Sequence, residues 1–317
     1  MLAQPADATM PLFIVHNAGS GSQAAHECLA TITRVLEDAG RAFELLPVPQ
    51  SGMAGVTKEA IALCRQHRGA LVVAGGDGSI SGAVQQALPA GVPLGVIPVG
   101  TFNYFARTHA IPLDIEAATR ALLDAVVVPV QVGQVNDRYF TVNASFGLYA
   151  QSLEDREAFK HRFGRSRFVA LLAGLATLLR SPQPWLVQFD ALAAPVRATT
   201  VFVGNNMLQL QQTGIPGVEA LAAGELVAVI VAPGGLVERL ATFMRGAAGE
   251  LWRAPSVQCL AFRCLTVTPR LQQGVRRIRV GLDGETAWLR TPLQFQRAAQ
   301  PLRLLVPAAA VPRRHAA

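Results

Sequence analysis

Apolar and polar positions along the first third of the chain follow two alternating periods. A short apolar run, Leu12-Phe13-Ile14-Val15, breaks into His16-Asn17-Ala18-Gly19-Ser20-Gly21. Behind it Cys28, Leu29, Ile32, Val35 and Leu36 recur at helical spacing up to Gly40, so the pattern predicts strand, loop and helix with a glycine C-cap. The unit repeats, with strands expected at 43–48, 70–74 and 93–97 and helices at 57–67 and 80–88. Strands alternating with helices need crossover connections, which give a parallel sheet covered on both faces.

Beyond about residue 125 the pattern becomes valine-rich and aromatic, interrupted by Gly, Pro and Asn. Strands are expected at 126–132, 139–142, 185–189, 199–203, 226–231, 265–268, 278–280 and 287–289, a mainly antiparallel arrangement. One helical insertion, 154–180, stands out: Phe168, Leu171, Leu172, Leu175, Leu178 and Leu179 fall on one face, behind Lys160, Arg162, Arg165 and Arg167. The fold class is therefore α/β plus β. A Rossmann-like parallel-sheet domain is expected over 10–125 and an antiparallel β-sandwich over 126–300, with the closing segment 301–308 a candidate to return to the first domain. With 317 residues, 51% of them hydrophobic, the chain can fill two such cores.

Composition removes several classes. The longest lipid-like run, 168–179, lies between Arg167 and Arg180 and falls short of the roughly twenty residues needed to span a bilayer. Pro5, Asp7 and Pro11 interrupt any signal-peptide pattern, so a cytoplasmic protein is expected. Cys28, Cys64, Cys259 and Cys264 have no metal-binding spacing and are expected to be reduced and mostly buried. The net charge of +7 resides in the second half, and 26 of the 28 basic residues are arginine. Guanidinium groups suit phosphates, which admits anionic lipid or nucleic acid as partners, although codon usage accounts for an arginine excess equally well.

Three segments carry candidate chemistry. Val72-Val73-Ala74-Gly75-Gly76-Asp77-Gly78-Ser79 runs from a buried strand through glycines into a helix. Glycines let backbone approach a polyanion, and N–H groups opening a helix attract phosphate, although a plain tight turn can use the same residues. Pro98-Val99-Gly100-Thr101-Phe102-Asn103-Tyr104-Phe105-Ala106-Arg107 also follows a strand. Its Thr101 hydroxyl and Asn103 amide could bond phosphate or ribose, or Thr101 could cap the next helix. In a parallel sheet these loops and the one at 17–21 gather on one rim. Gly281-Leu282-Asp283-Gly284-Glu285 reads as a hairpin turn, yet Glu285 is also a candidate base for an acceptor alcohol.

In order and spacing, these segments together with Gly204-Asn205-Asn206 resemble the diacylglycerol kinase catalytic-domain family, in particular its bacterial lipid kinases. Thr291-Pro292-Leu293-Gln294-Phe295 and Leu302-Arg303-Leu304-Leu305-Val306-Pro307 are similar to its closing segment, so the resemblance runs from about Pro11 to Pro307. It implies an N-terminal domain like that of NAD kinases and phosphofructokinases, a C-terminal β-sandwich and an ATP site in the cleft between them. Mg²⁺ and a diacylglycerol-like lipid acceptor complete the implied reaction. By position it implies nucleotide contacts at Gly75, Gly76, Asp77, Gly78, Ser79, Ile80, Ser81 and Thr101, alongside Asn17 and Asn103 on the neighbouring loops. Glu285 would be the proton acceptor, and Asp77 would lie near metal and phosphates.

The chain departs from the family pattern in several places. Ser79 stands where threonine is usual, Tyr104 where an aspartate is frequent, Ala18 where proline is usual, and Pro49 where a nucleotide-contacting threonine is common. The family's structural Mg²⁺ ligand falls at Ala223, whose side chain has no oxygen to donate. A membrane-bound substrate implies peripheral contact, for which 160–179 is the candidate, or that helix simply packs on the sandwich. No nucleic-acid module or aromatic-interleaved basic strand is evident, so no nucleic acid is expected. A homodimer is left open. Besides a lipid kinase, a catalytically silent nucleotide- or lipid-binding protein and an NAD kinase-like enzyme fit parts of the pattern.

Overall fold

The structure, a computed structural model, describes residues 4–7, 9–16, 23–48, 52–147, 184–270 and 276–310. The chain divides into two compact units, Met1–Val132 with Ala299–Ala317, and Gly133–Ala298. The expected insertion at 154–180, with its basic flank, lies outside the described residues.

In the first unit the elements run β1 (Gln4–Pro5), β2 (Leu12–His16), α1 (Gln23–Asp38), β3 (Phe43–Pro47), α2 (Met53–His67), β4 (Ala70–Gly75), α3 (Asp77–Ala90), β5 (Leu94–Pro98), α4 (Tyr104–Thr108), α5 (Ile115–Ala121) and β6 (Ala125–Val130). The second unit holds β7 (Gly133–Val135), β8 (Arg138–Phe140), β9 (Asn143–Gly147), β10 (Trp185–Phe189), β11 (Val196–Ala198), β12 (Thr200–Gly204), α6 (Met207–Thr213), α7 (Val218–Ala222), β13 (Leu226–Val231), α8 (Leu236–Ala247), β14 (Val257–Phe262), β15 (Cys264–Pro269), β16 (Arg277–Leu282), β17 (Glu285–Arg290) and β18 (Leu293–Arg297). The chain then returns to the first unit as β19 (Leu302–Pro307).

The first sheet has the order β1-β6-β19-β5-β4-β2-β3. Pairing is parallel among β3, β2, β4, β5 and β19. Every residue of β2, β4 and β5 is buried, as expected of strands covered on both faces. The strand expected to open the second domain at 126–132 instead joins this sheet. Its valines pair antiparallel with β19, from Leu302↔Val130 to Pro307↔Ala125, a partner more than 170 residues away that no local pattern announces.

The second unit is a sandwich of two six-stranded antiparallel sheets, β11-β10-β15-β18-β7-β8 and β14-β13-β12-β9-β16-β17. Val187, Phe189, Leu293 and Phe295 of one sheet and Ala144, Phe146, Val201 and Val280 of the other belong to a single buried cluster. Along β13, Leu226, Ala228 and Ile230 enter that cluster. Val227 and Val229 point the other way, into a second cluster with Leu210 of α6, Ile215 and Leu221 of α7. This period of two places β13 between two apolar layers, so its unbroken hydrophobic run carries no visible alternation. Cys28 and Cys64 are buried, but Cys259 and Cys264 are exposed, which corrects the expectation of mostly buried thiols; all four are free. Among the described residues no helix is long and apolar enough to cross a membrane.

Candidate active-site elements

Strand register brings the expected loops of the first unit to one edge. His16 pairs with Ala74, Ala74 with Ile97 and Gly75 with Pro98, so β2, β4 and β5 end side by side. Asn17 follows β2 but lies outside the described residues. The β4 and β5 loops meet backbone to backbone. A Cβ on Gly76 would lie 3.2 Å from the Gly100 Cα, and one on Gly100 would lie 2.7 Å from the Gly76 Cα. On Gly75 it would collide with Ser79, 2.5 Å from its Cβ. Glycine at these positions is required by close approach.

Behind this contact α3 starts with Gly76 at its N-cap, where no side chain accepts from the first turn. The N–H groups that open a helix carry its positive dipole end, which suits an anion. Residues 76–79 are half-buried, whereas the Ile80 and Ser81 side chains sit below them in the interior.

Asp77 does structural work here. Its carboxylate accepts the backbone N–H groups of Tyr104 at 3.2 Å and Phe105 at 3.1 Å, capping α4 from a distant part of the chain. Asn103, in the left-handed region at φ 50° and buried, folds back on its own loop. Its Oδ1 accepts the Gly100 N–H at 3.0 Å and its Nδ2 donates to the Gly100 carbonyl at 2.9 Å. Thr101 is exposed and does not supply the cap. Phe102 and Tyr104 stack with ring centres 5.9 Å apart. His109 lies edge-on to Phe105, and burial pushes its pKa down to about 4, so the imidazole is neutral.

In the second unit the segment 283–285 is a hairpin turn with a buried anchor. Asp283 adopts φ 50° and Gly284 φ 95°, and β16 and β17 pair up to Leu282↔Glu285. The Asp283 carboxylate accepts the N–H groups of Thr141 (2.7 Å), Val142 (2.7 Å) and Asn143 (3.0 Å) and the Thr141 hydroxyl (2.9 Å). Glu285, two positions later, is exposed.

Gly204-Asn205-Asn206 acquires a role beside it. Asn205 donates from its Nδ2 to the Thr141 carbonyl and from its backbone to Val142, while the Asn206 side chain accepts the Gln209 N–H and caps α6. Asn143 in turn donates to the Gln209 side chain at 3.1 Å. Thr141, Asn143 and Gln209 were not singled out from the sequence. The available signal was two polar residues, Thr141 and Asn143, inside a buried strand run.

The fit to a protein-bound metal is poor. Ala223 caps the C-terminal end of α7, its backbone N–H donating to the Glu219 carbonyl, its side chain has no ligand atom, and Glu225 pairs with Arg263 at 3.5 Å. Among the described residues no group of three or more His, Cys, Asp and Glu could hold a metal ion.

Residues 11–135, which contain the entire glycine-loop assembly, match the model of the diacylglycerol kinase catalytic domain. The diacylglycerol kinase of Bacillus subtilis strain 168 is 35% identical over 145 residues, 45% of this chain and 47% of that protein. The chain thus spans about half the length of the first curated relatives it matches. A diacylglycerol kinase of Staphylococcus aureus strain RF122 is 26% identical over 278 residues, covering 86% of this chain and 85% of that protein. A solved diacylglycerol kinase of Bacillus anthracis str. Sterne shares the fold, with a TM-score of 0.69, 22% identity and coverage of 96% of this chain and 99% of that one.

Proposed function

We propose that this protein is an ATP-dependent lipid kinase that transfers the γ-phosphate to the hydroxyl of a diacylglycerol-like lipid. The observation that carries the proposal is the turn at 75–79, pressed by Gly76 against Gly100 and opening a helix with no side-chain acceptor at its N-cap. Such a turn suits the phosphates of a nucleotide. When bound, ATP supplies an electrophilic γ-phosphorus.

The chain's own residues divide the remaining work. Gly75, Gly76, Gly78 and Ser79, with the Thr101 hydroxyl and the Asn17 loop, hold the phosphates. Asp77, Ile80, Ser81 and Asn103 shape the cradle from within, since Asp77 and Asn103 bond backbone groups and Ile80 and Ser81 are buried. Glu285 takes the proton of the acceptor hydroxyl as its oxygen bonds to the γ-phosphorus and the bond to the departing ADP oxygen breaks. Mg²⁺ would arrive with the nucleotide and neutralise its phosphates, because the Ala223 side chain offers no ligand atom. The working place is the inner face of the cytoplasmic membrane, where such an acceptor resides.

One observation favours a second, catalytically silent reading. Tyr104 and Ala223 replace two carboxylates of the family pattern, and the Asp77 carboxylate is engaged by two backbone N–H groups. Incubation with γ-labelled ATP and mixed lipids decides between them. Labelled lipid from the wild type and none from Glu285→Gln is the kinase result. ATP binding without labelled product in either protein is the silent result, and label on NAD alone overturns the choice of a lipid acceptor.

A further inference from the structure

The outer face of the β16–β17 hairpin carries side chains that the proposed reaction does not use. In register, Arg277 stands opposite Arg290 and Arg279 opposite Trp288. Ile278, Val280, Leu282 and Leu289, at the alternate positions, are buried in the sandwich core, so the three arginines and the tryptophan share the opposite face. Arg277 and Arg290 are exposed, Trp288 is 59% exposed, and the Arg279 guanidinium lies 5.0 Å from the centre of its ring. The remaining outward positions of the two strands are Gly281 and Thr286, so neither strand places an acidic side chain on this face.

Like charges directly opposite on neighbouring strands destabilise a sheet, and an exposed indole leaves a large apolar area in water. β17 is the outermost strand of its sheet, and charged residues there discourage unwanted strand pairing. Acidic residues would discourage it as well, and that purpose calls for no tryptophan between the arginines. A surface both anionic and apolar accounts for all three features. Phosphates bridge the opposed guanidinium groups, and the indole enters the headgroup boundary.

The geometry points to this face as a docking surface for an anionic phospholipid bilayer, an inference that rests on the lipid-kinase proposal. Single-stranded RNA also presents phosphates, but its binding surfaces stack successive bases on several rings, and this face exposes one.

The test uses the full chain with vesicles of phosphatidylcholine alone or mixed with phosphatidylglycerol. Wild type partitions onto the mixed vesicles and not the neutral ones. Arg277→Gln and Arg290→Gln each lower partition about fivefold. Quenching of tryptophan fluorescence by brominated acyl chains is largely lost in Trp288→Phe. Equal partition of wild type and the double arginine variant, equal binding to neutral vesicles, or tighter binding to single-stranded RNA overturns the proposal. A monomeric short-chain diacylglycerol separates this outcome from failure of the kinase proposal. Docking variants phosphorylate it at the wild-type rate while losing activity on vesicles. Equal activity of variant and wild type on vesicles overturns docking alone. Absence of product from either acceptor overturns the kinase proposal, and the partition measurement still reports on docking.

Discussion

Gly76 and Gly100 approach so closely that a side chain on Gly100 would begin 2.7 Å from the Gly76 Cα. The contact fuses the β4 and β5 loops into one backbone surface. Gly100→Ala must push them apart, with an overpacking cost of about 1–3 kcal/mol. ATP affinity by titration calorimetry is expected to fall at least about tenfold, the equivalent of about 1.4 kcal/mol. Gly82, inside α3 and exposed with nothing near its missing Cβ, supplies the contrast. Gly82→Ala is expected to raise stability by up to about 1 kcal/mol in chemical denaturation.

Asp77→Asn keeps the shape of the side chain but replaces one acceptor oxygen with a donor facing an N–H group. A loss of about 1–3 kcal/mol is expected from the group left unpaired. Hydrogen exchange locates it: the amides of Tyr104 and Phe105 lose protection, while those of β2 keep it.

Asp283→Ala removes the acceptor of three backbone N–H groups and a hydroxyl in the interior, a loss of roughly 3–5 kcal/mol. Glu285→Gln, at an exposed position two residues away, is expected to change stability by no more than about 0.5 kcal/mol. The pair separates scaffold from chemistry. Urea denaturation detects the first substitution, and lipid phosphorylation is abolished by the second in a protein that melts normally.

Acid sensitivity should originate at His109. Burial lowers its folded pKa from 6.5 to about 4, so between those values the unfolded chain binds a proton that the native imidazole rejects. Its contribution is fully present above about pH 6.5 and is lost as pH falls toward 4, by an upper bound of roughly 3 kcal/mol. His16, also lowered by burial, acts in the same direction. Thermal midpoints followed from neutral pH to pH 4 should fall less steeply in His109→Leu than in wild type.

Much of the first unit was legible because parallel strands and amphipathic helices write their own period into neighbouring residues. The runs at Leu12–His16 and Ala70–Gly75, and the helices behind them, stand where their patterns place them. Strand β9, Asn143–Gly147, was not legible: it is short and carries Asn and Ser on a strand buried throughout. The helices α6, α7 and α8 were also absent from the expectation, two of them only seven and five residues long. The arginine face is hidden in the sequence for a different reason. Arg277 and Arg290 are thirteen positions apart in sequence, and only the hairpin register sets them opposite each other.

Residue order alone supplied the two textures of the chain, the glycine turn and the exposed acid of the late hairpin, since each depends on a few adjacent residues and their local geometry. Folding assigned the partners: Asp77 to Tyr104 and Phe105, Asp283 to the strand start at 141–143, and β6 to β19. A carboxylate bonds whatever donors the packed chain brings within about 3 Å. Which donors those are depends on strand order and register summed over the whole core, information that no short stretch of sequence contains.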